Sequence, residues 1–495
     1  MSLRFIKKII EKIKQLDFEV KDYSQTVKNP SMPSLAYVNW ALHLAQSGDS
    51  KQAEEKLISS TLMAHQTPEA YINLGILKAK EKKFQEAKDF YIKALRLDNG
   101  NSKAYCFLGN ALTEIGEYKE AEKNFEKALS LNPNSPDVKL NYGIFLMKQK
   151  KYSQAKKKLK EAYKVNPLNH VPIYFLGLIN LELKENEKAK EKFKQVISLK
   201  PNHSEAFYYL SYISFKEQNY KESISDALKS VELFDKKPET YMLIAENNMH
   251  LGNEQECLKY YTLGQEKCEL TYYSYISWGI SLQHFHHYEE SKEKFEKAIG
   301  LNDENDLGYV SLGISYFKLK DYDKAFEKFK KAIEITPKNI IALDYIGEIY
   351  FQKEDYEKAI EYLKSALDIS AKLVKNYEKI AKSYFLLGNP PKAYDYYQKA
   401  LEYQPEEIEN YISYAKFLIS QKEYNQALQK LKNANKMNNK NLECLNLLFY
   451  VNYLLAKEDN SDYNKEKAIL IAEEIERNYP GEFLYTEEKE KIKSG

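Results

Sequence analysis

The densest grouping of possible metal ligands in the 495-residue sequence is His284-Phe285-His286-His287, followed after Tyr288 by Glu289 and Glu290. Imidazole and carboxylate groups this close could hold Zn²⁺ or Ni²⁺. Consecutive residues point in different directions, however, and the stretch falls at a turn between two predicted helices. It therefore reads as a polar turn, and no metal is expected. His43, His65, His170, His203 and His250 are scattered. Cys106, Cys257, Cys268 and Cys444 lie far apart without metal-ligand spacing, which points to free thiols in a reducing compartment. There is no G-x-x-x-x-G-K-[ST], no G-x-G-x-x-G after a strand, no H-E-x-x-H and no C-x-x-C. With no nucleophile, base and orienting group converging, neither catalysis nor a cofactor is expected.

Composition narrows the remaining classes. Lys+Arg 74 against Asp+Glu 72 leaves a net +2, so no bulk basic field points to nucleic acid. Arginine occurs only at Arg4, Arg96 and Arg477, which removes the usual planar fork for phosphates and base edges. Gly 17 and Pro 14 are too few for a disordered or loop-rich chain, while 29% charged and 13% aromatic residues suit a helical protein. Residues 270–288 carry no formal charge, but their serines and Gln283 mark a buried helix rather than a membrane span.

What positions these residues is a period. Gly75, Gly109, Gly143 and Gly177 are spaced by 34 residues, and the series resumes at Gly279, Gly313 and Gly347. Twelve places further along, every position from Ala53 through Ala121, Ser223 and Cys257 to Ala427 is small. Seven places beyond come Ala94, Ala128, Ala162 and their small or β-branched counterparts, and Trp40 and Trp278 each precede the glycine phase. In residues 102–135, Tyr105, Leu108, Leu112 and Ile115 follow helical spacing, and Tyr118, Ala121, Phe125, Ala128 and Leu129 do so after a Gly116-Glu117 turn. Pro133 ends the second helix, as Pro167, Pro201, Pro337 and Pro405 do elsewhere. Neither helix can bury its apolar stripe alone, so neighbouring pairs must stack.

This pattern resembles the tetratricopeptide repeat family, whose period and W-L-G-Y…A…F…A…P phases it matches. The resemblance implies an all-α, right-handed superhelical solenoid of antiparallel helix pairs. Twelve repeats run through residues 34–441, and a degenerate thirteenth with an insertion near Asp459 and Asp462 occupies 442–481. No linker interrupts them, so one continuous array is expected. The repeat at 204–237 departs most, with Ser211, Ser223 and Ser230 at the small phases, as interchangeable packing or as a hinge. Residues 482–495 read as a solvated capping helix that frays.

The resemblance also implies where partners bind. In this fold the first helix of each repeat lines the concave face through its second, fifth, sixth, ninth, twelfth and thirteenth places. Carried onto this chain, those places give Leu140, Ile144 and Met147, then Tyr174, Leu178 and Leu181. Tyr208, Tyr212 and Phe215 follow, then Met242, Glu246 and Met249, then Ile276 and Ile280, and finally Val310, Ile314 and Phe317. Such an apolar and aromatic groove suits adaptable contact with a partner, or internal packing of a tightly wound superhelix. The family's carboxylate clamp needs Lys and Asn in one repeat, and Asn110 is accompanied by Cys106 instead. Asn39, Asn73 and Asn141 resemble the asparagine ladder of the O-GlcNAc transferase family, but Phe107 and Phe175 interrupt it. Further on the same places turn ionic, with Asp344, Glu348, Lys375, Glu378, Lys382, Glu409 and Lys416.

Residues 1–33 precede the array. Ile6, Ile9, Ile10, Ile13 and Leu16 share one helical face flanked by Lys7, Lys8, Lys12 and Lys14. Such a helix could cap the first repeat, meet a partner helix, or touch a membrane surface through residues 3–16. The whole reads as a non-catalytic, cytoplasmic protein-interaction scaffold that supports assembly of a complex and binds one or more proteins but no nucleic acid. The alternatives are a peripheral membrane assembly factor anchored by the N-terminal helix, and a recruiting arm for a separate enzyme such as a glycosyltransferase.

Overall fold

A computed structural model describes residues 33–62, 67–370, 373–459 and 461–494, and every regular element among them is a helix. The expected amphipathic helix over residues 3–16 lies outside the described residues. Two compact units divide the chain, Met1–Cys268 and Glu269–Gly495. The first holds seven antiparallel pairs: α1 (Pro33–Gln46) and α2 (Ser50–Thr61), α3 (Pro68–Lys80) and α4 (Phe84–Leu97), α5 (Ser102–Ile115) and α6 (Tyr118–Leu131), α7 (Pro136–Lys148) and α8 (Tyr152–Val165), α9 (Val171–Glu182) and α10 (Asn186–Leu199), α11 (Ser204–Lys216) and α12 (Tyr220–Leu233), α13 (Pro238–His250) and α14 (Glu254–Lys267). The second holds α15 (Tyr272–His284) and α16 (Tyr288–Leu301), α17 (Asp306–Lys318) and α18 (Tyr322–Ile335), α19 (Ile340–Gln352) and α20 (Tyr356–Ile369), α21 (Val374–Leu386) and α22 (Pro390–Tyr403), α23 (Ile408–Ser420) and α24 (Tyr424–Met437), α25 (Leu442–Asp459) and α26 (Asp462–Asn478), with a short α27 (Thr486–Ser494).

The glycine phase is explained by one contact. The side chain sixteen residues after each glycine, on the second helix, lies against the glycine's Cα. A Cβ built on Gly313 would sit 2.8 Å from the Phe329 ring, one on Gly177 2.8 Å from Phe193, and one on Gly143 2.8 Å from Leu159. Phe193, Phe295 and Phe329 are fully buried there. The departures in the repeat at 204–237 follow the same steric rule. Ser211 replaces the glycine where the opposing residue is the small Ala227, and both are buried. The space is filled by polar contacts: Ser211 Oγ lies 3.0 Å from Ser223 Oγ, and Asn247 Nδ2 donates to Ser223 Oγ at 2.9 Å. These serines are thus members of a buried hydrogen-bonded seam.

The period is also written in the backbone. The turn joining the two helices of a pair contains a left-handed residue at Gly48, Lys82, Gly116, Lys150, Lys184, Gln218, Gly252, His286, Lys320, Glu354, Gly388 and Lys422, each 34 residues after the last. Only some of these are glycine, because the turn geometry is imposed by the packed pair rather than by local preference. Proline ends the second helices as expected: α6, α8, α10, α18 and α22 each stop two residues before one. Between repeats, lysines form ion pairs in both directions. From the second helices, Lys88 Nζ lies 2.8 Å from Glu117 and Lys156 3.0 Å from Glu185 of the next repeat, and from the turn before α8, Lys151 lies 2.9 Å from Glu122 of the preceding one.

The C-terminal segment packs on the last pair as a cap and is less solvated than expected. Phe483 and Ile492 are buried, and the Phe483 ring meets Phe449 at 4.8 Å. The reason is that Phe449 occupies the glycine phase of the last pair, so its ring needs a cover that a following repeat would otherwise supply.

The non-glycine turns carry a strain that glycine would relieve. Lys320→Gly is expected to raise stability by about 1 kcal/mol, read as a higher urea midpoint. A fall in the midpoint would contradict the imposed geometry.

Candidate functional site

The residues assigned to the groove occupy a graded range of exposure. On α7 and α9, Leu140, Ile144, Met147, Tyr174, Leu178 and Leu181 are buried. On α11 and α13, Tyr208, Tyr212, Phe215, Glu246 and Met249 are half-buried, while Met242 is buried. In the second unit Ile276 and Val310 are buried, Ile314 and Phe317 are half-buried, and Ile280 is exposed at 42%. Phe317 packs its ring 5.0 Å from that of Tyr345. The half-buried set on α11 and α13 is therefore where adaptable side chains gather in the first unit.

Electrostatics sharpen that description. The Tyr208 and Tyr212 rings stack at 6.5 Å, and Lys237 Nζ lies 3.1 Å from the Tyr208 ring centroid. Burial raises the Tyr212 hydroxyl pKa above its ordinary value, and the carboxylates of Glu182 and Glu246 raise it further. Tyr208 is raised by burial, then by Tyr212 and Glu246. Two acidic residues thus flank an aromatic pair. Glu246 was legible as a ninth-place residue. Glu182 stands at the thirteenth place of its repeat, among the inward-facing places, and the emphasis on apolar residues passed over it.

The asparagine residues are engaged with their own helices. Asn73 Nδ2 donates to Glu69 O at 2.8 Å and Asn141 Nδ2 to Asp137 O at 2.8 Å, while Asn39 is half-buried. Asn141 Oδ1 accepts from Asn110 Nδ2 at 3.1 Å beside a cavity of about 30 Å³. The Lys148–Glu114 ion pair lines the same cavity. Burial lowers the Lys148 pKa, and Glu114 partly offsets it. That volume accommodates one or two waters and no peptide. In the second unit the ionic places are paired: Lys379 with Glu348 on the preceding first helix, Lys382 Nζ with Glu378 of its own helix at 2.6 Å, and Ser413 Oγ on the following first helix donating to Glu378 at 2.5 Å.

The histidine cluster is a turn. His286 has φ +65°, and its Nδ1 is 2.9 Å from Tyr288 Oη. His287 Nδ1 is 3.9 Å from Glu290. Among the described residues, no three His, Cys, Asp or Glu side chains are grouped to hold a metal ion. No helix among them is long and apolar enough to cross a membrane.

Stacked antiparallel helix pairs with an inward-facing aromatic and acidic surface define a helical repeat protein of the binding class. Residues 92–207 match the tetratricopeptide domain of cytochrome c-type biogenesis protein H, and residues 68–101, 307–372 and 338–406 match tetratricopeptide repeats. The chain belongs to the tetratricopeptide repeat family, with an all-α array of paired helices. Proteins of this family are typical protein–protein interaction scaffolds and are usually non-catalytic. Among solved structures, the chain is similar to PilF of Pseudomonas aeruginosa (25% identity, 39% of this chain and 89% of that one, TM-score 0.37). It is also similar to the Cut9–Hcn1 hetero-tetramer of the APC/C (13%, 93% and 96%, TM-score 0.43) and to yeast Tom70 (16%, 88% and 99%, TM-score 0.38). No curated protein matches the sequence.

The acidic flanks set a measurable property. Glu246→Gln is expected to move the Tyr212 pKa down toward the ordinary value of about 10, followed by carbon-13 tyrosine NMR with Tyr212→Phe for assignment. An unchanged titration would place Glu246 away from the ring.

Proposed function

We propose that this protein is a non-catalytic scaffold that binds extended or helical segments of partner proteins and supports the assembly of a complex. The concave face of the first unit, on α11 and α13, is the binding surface. One observation carries this reading: Tyr208, Tyr212, Phe215 and Met249 remain half-buried on adjacent first helices while most comparable apolar places on α7 and α9 are closed. Large, partly accessible aromatic and thioether side chains give contact area that adapts to a partner. The match of residues 92–207 to the repeat domain of a biogenesis protein supports assembly as the setting. Glu182 and Glu246 beside the tyrosines favour a partner segment that carries both apolar and basic residues.

The test is a crosslinked pull-down from native cells with the wild type and with Tyr212→Ser/Phe215→Ser. Both baits should show the same helical circular dichroism. Partners held in the groove are expected to fall by about tenfold or more with the variant, the loss for one or two anchor side chains. Capture of an identical set at equal yield would assign these side chains to packing alone.

A further inference from the structure

At the second place of the first helix most pairs carry a charge. Glu69, Lys103 and Asp137 are exposed there in the first unit, and Lys375, Glu409 and Glu443 in the second. Glu205 and Glu239 are charged as well, while Val171 is buried and Leu35 half-buried. Three consecutive pairs break the rule. Tyr273 on α15, Leu307 on α17 and Ile341 on α19 put large apolar side chains at this place, 49%, 37% and 50% exposed. Two turns further along α15, the exposed Ile280 shares the face of Tyr273. A solvated place made apolar in three successive repeats is the kind of exposed patch that serves as a binding site.

Two hydrogen bonds set these residues along one edge. The Gly308 N–H donates to Tyr272 Oη at 2.9 Å, which ties the start of α15 to that of α17. Asn339 Nδ2, at the cap of α19, donates to Asp306 Oδ2 at 2.9 Å and ties α17 to α19 in the same way. Tyr273, Leu307 and Ile341 stand one or two residues from these bonds. They therefore follow one another across the helix starts at the spacing of packed helices, ~8–10 Å.

The charge beside this edge is one-sided. Asp344 lies one turn along α19 from Ile341 and is half-buried. Its Oδ1 is enclosed without a hydrogen-bond partner, and among the described residues no cation pairs with the carboxylate. The lysines at the inward places of α21 are engaged or apart: Lys379 pairs with Glu348, Lys382 with Glu378, and the exposed Lys375 forms no ion pair with Asp344. Lys318 stands at the far end of α17, about three turns from Leu307. A carboxylate partly removed from water and left unpaired gains from a cation that a bound segment brings.

We propose that the edge formed by Tyr273, Leu307, Ile341 and Asp344 is a second docking surface, for a helical segment of another protein that is apolar on one side and carries a lysine or arginine near one end. Seven residues of α-helix rise ~10 Å, so apolar residues seven apart meet successive first helices. A basic residue one turn beyond the one on Ile341 then reaches Asp344. The surface lies wholly within the second unit and uses none of the side chains assigned to the partner surface on α11 and α13. The scaffold thus holds a second segment of its own chemistry.

The test selects from a display library of random helical peptides of about 20 residues, ~30 Å long, on the full-length chain, and measures the Kd of enriched clones as free peptides by fluorescence anisotropy. One enriched family is expected to carry apolar residues seven apart and a lysine or arginine. Its affinity should fall about tenfold with Ile341→Ser and likewise with Asp344→Asn, the scale of a single anchor residue. Asp344→Lys should abolish binding, and the peptide with glutamate in place of its basic residue should restore it. Ile341 is half exposed and Asp344 has no bond to lose, so the melting temperature should stay unchanged in all three variants. Absence of a family that depends on Ile341, or dependence on Ile341 without Asp344, would overturn the proposal. Self-association of the chain that Ile341→Ser abolishes in light scattering would give the edge to a second copy and overturn it too. If every family depends on Tyr212 and Phe215 instead, this surface fails and the reading of α11 and α13 stands. If binding ignores Tyr212 and Phe215 and follows Ile341 and Asp344, this surface stands by itself.

Discussion

A missing Cβ on the first helix of a pair, facing a large side chain on the second, sets the geometry of this fold. Where Gly313, Gly347 or Gly177 lies in the first helix, the ring or branched side chain of Phe329, Leu363 or Phe193 lies directly over it. The two backbones are thereby held close at one point, and the remaining apolar residues fill the angle on either side. Seven pairs carry this contact, and in others Ala245, Ala381 and Ala415 stand in the glycine's place opposite the buried Tyr261, Tyr397 and Leu431; the shared phase presents equivalent faces of successive first helices side by side within each unit. The chemistry of the inward face is then free to vary. It is aromatic and acidic on α11 and α13, and ion-paired on α19, α21 and α23.

Much of this was legible because the constraints are local and recurrent. The glycine and alanine phases, the terminal prolines and the helical spacing all lie within one repeat, so the sequence exposes them directly. The left-handed turn is announced by a glycine only at Gly48, Gly116, Gly252 and Gly388, since Lys150, His286 and Glu354 adopt the same backbone without one. Packing of the pair imposes that conformation, and nothing in the identity of a lysine reports it. Ser211 was read as either a small substitute or a hinge. Its role depends on Ala227 across the pair and on Asn247 in the next repeat, a three-body relation that single-position reasoning does not reach.

The candidate site divides along the same line. Which residues face inward follows from position within the repeat. How far each is buried depends on neighbours from other repeats, and this is why Leu178 and Ile280, at equivalent places, differ completely in exposure. The asparagines illustrate the point further. An amide at the sixth place has the right chemistry for a peptide backbone, yet Asn73 and Asn141 donate to their own helices. Side-chain amides in a helix find a carbonyl four residues back whenever no stronger partner is in reach.

The central claim, that the glycine and the opposing ring form a single steric unit, is tested most directly by a double-mutant cycle at Gly313 and Phe329, measured from denaturant midpoints. Gly313→Ala alone should cost about 1–3 kcal/mol because the added methyl meets the ring. In a chain already carrying Phe329→Ala, the same change should be neutral or stabilising, since the space is vacant and alanine favours a helix by about 1 kcal/mol over glycine. An equal cost in both backgrounds would show that the glycine answers to something other than the ring, and the account of the repeat would be wrong.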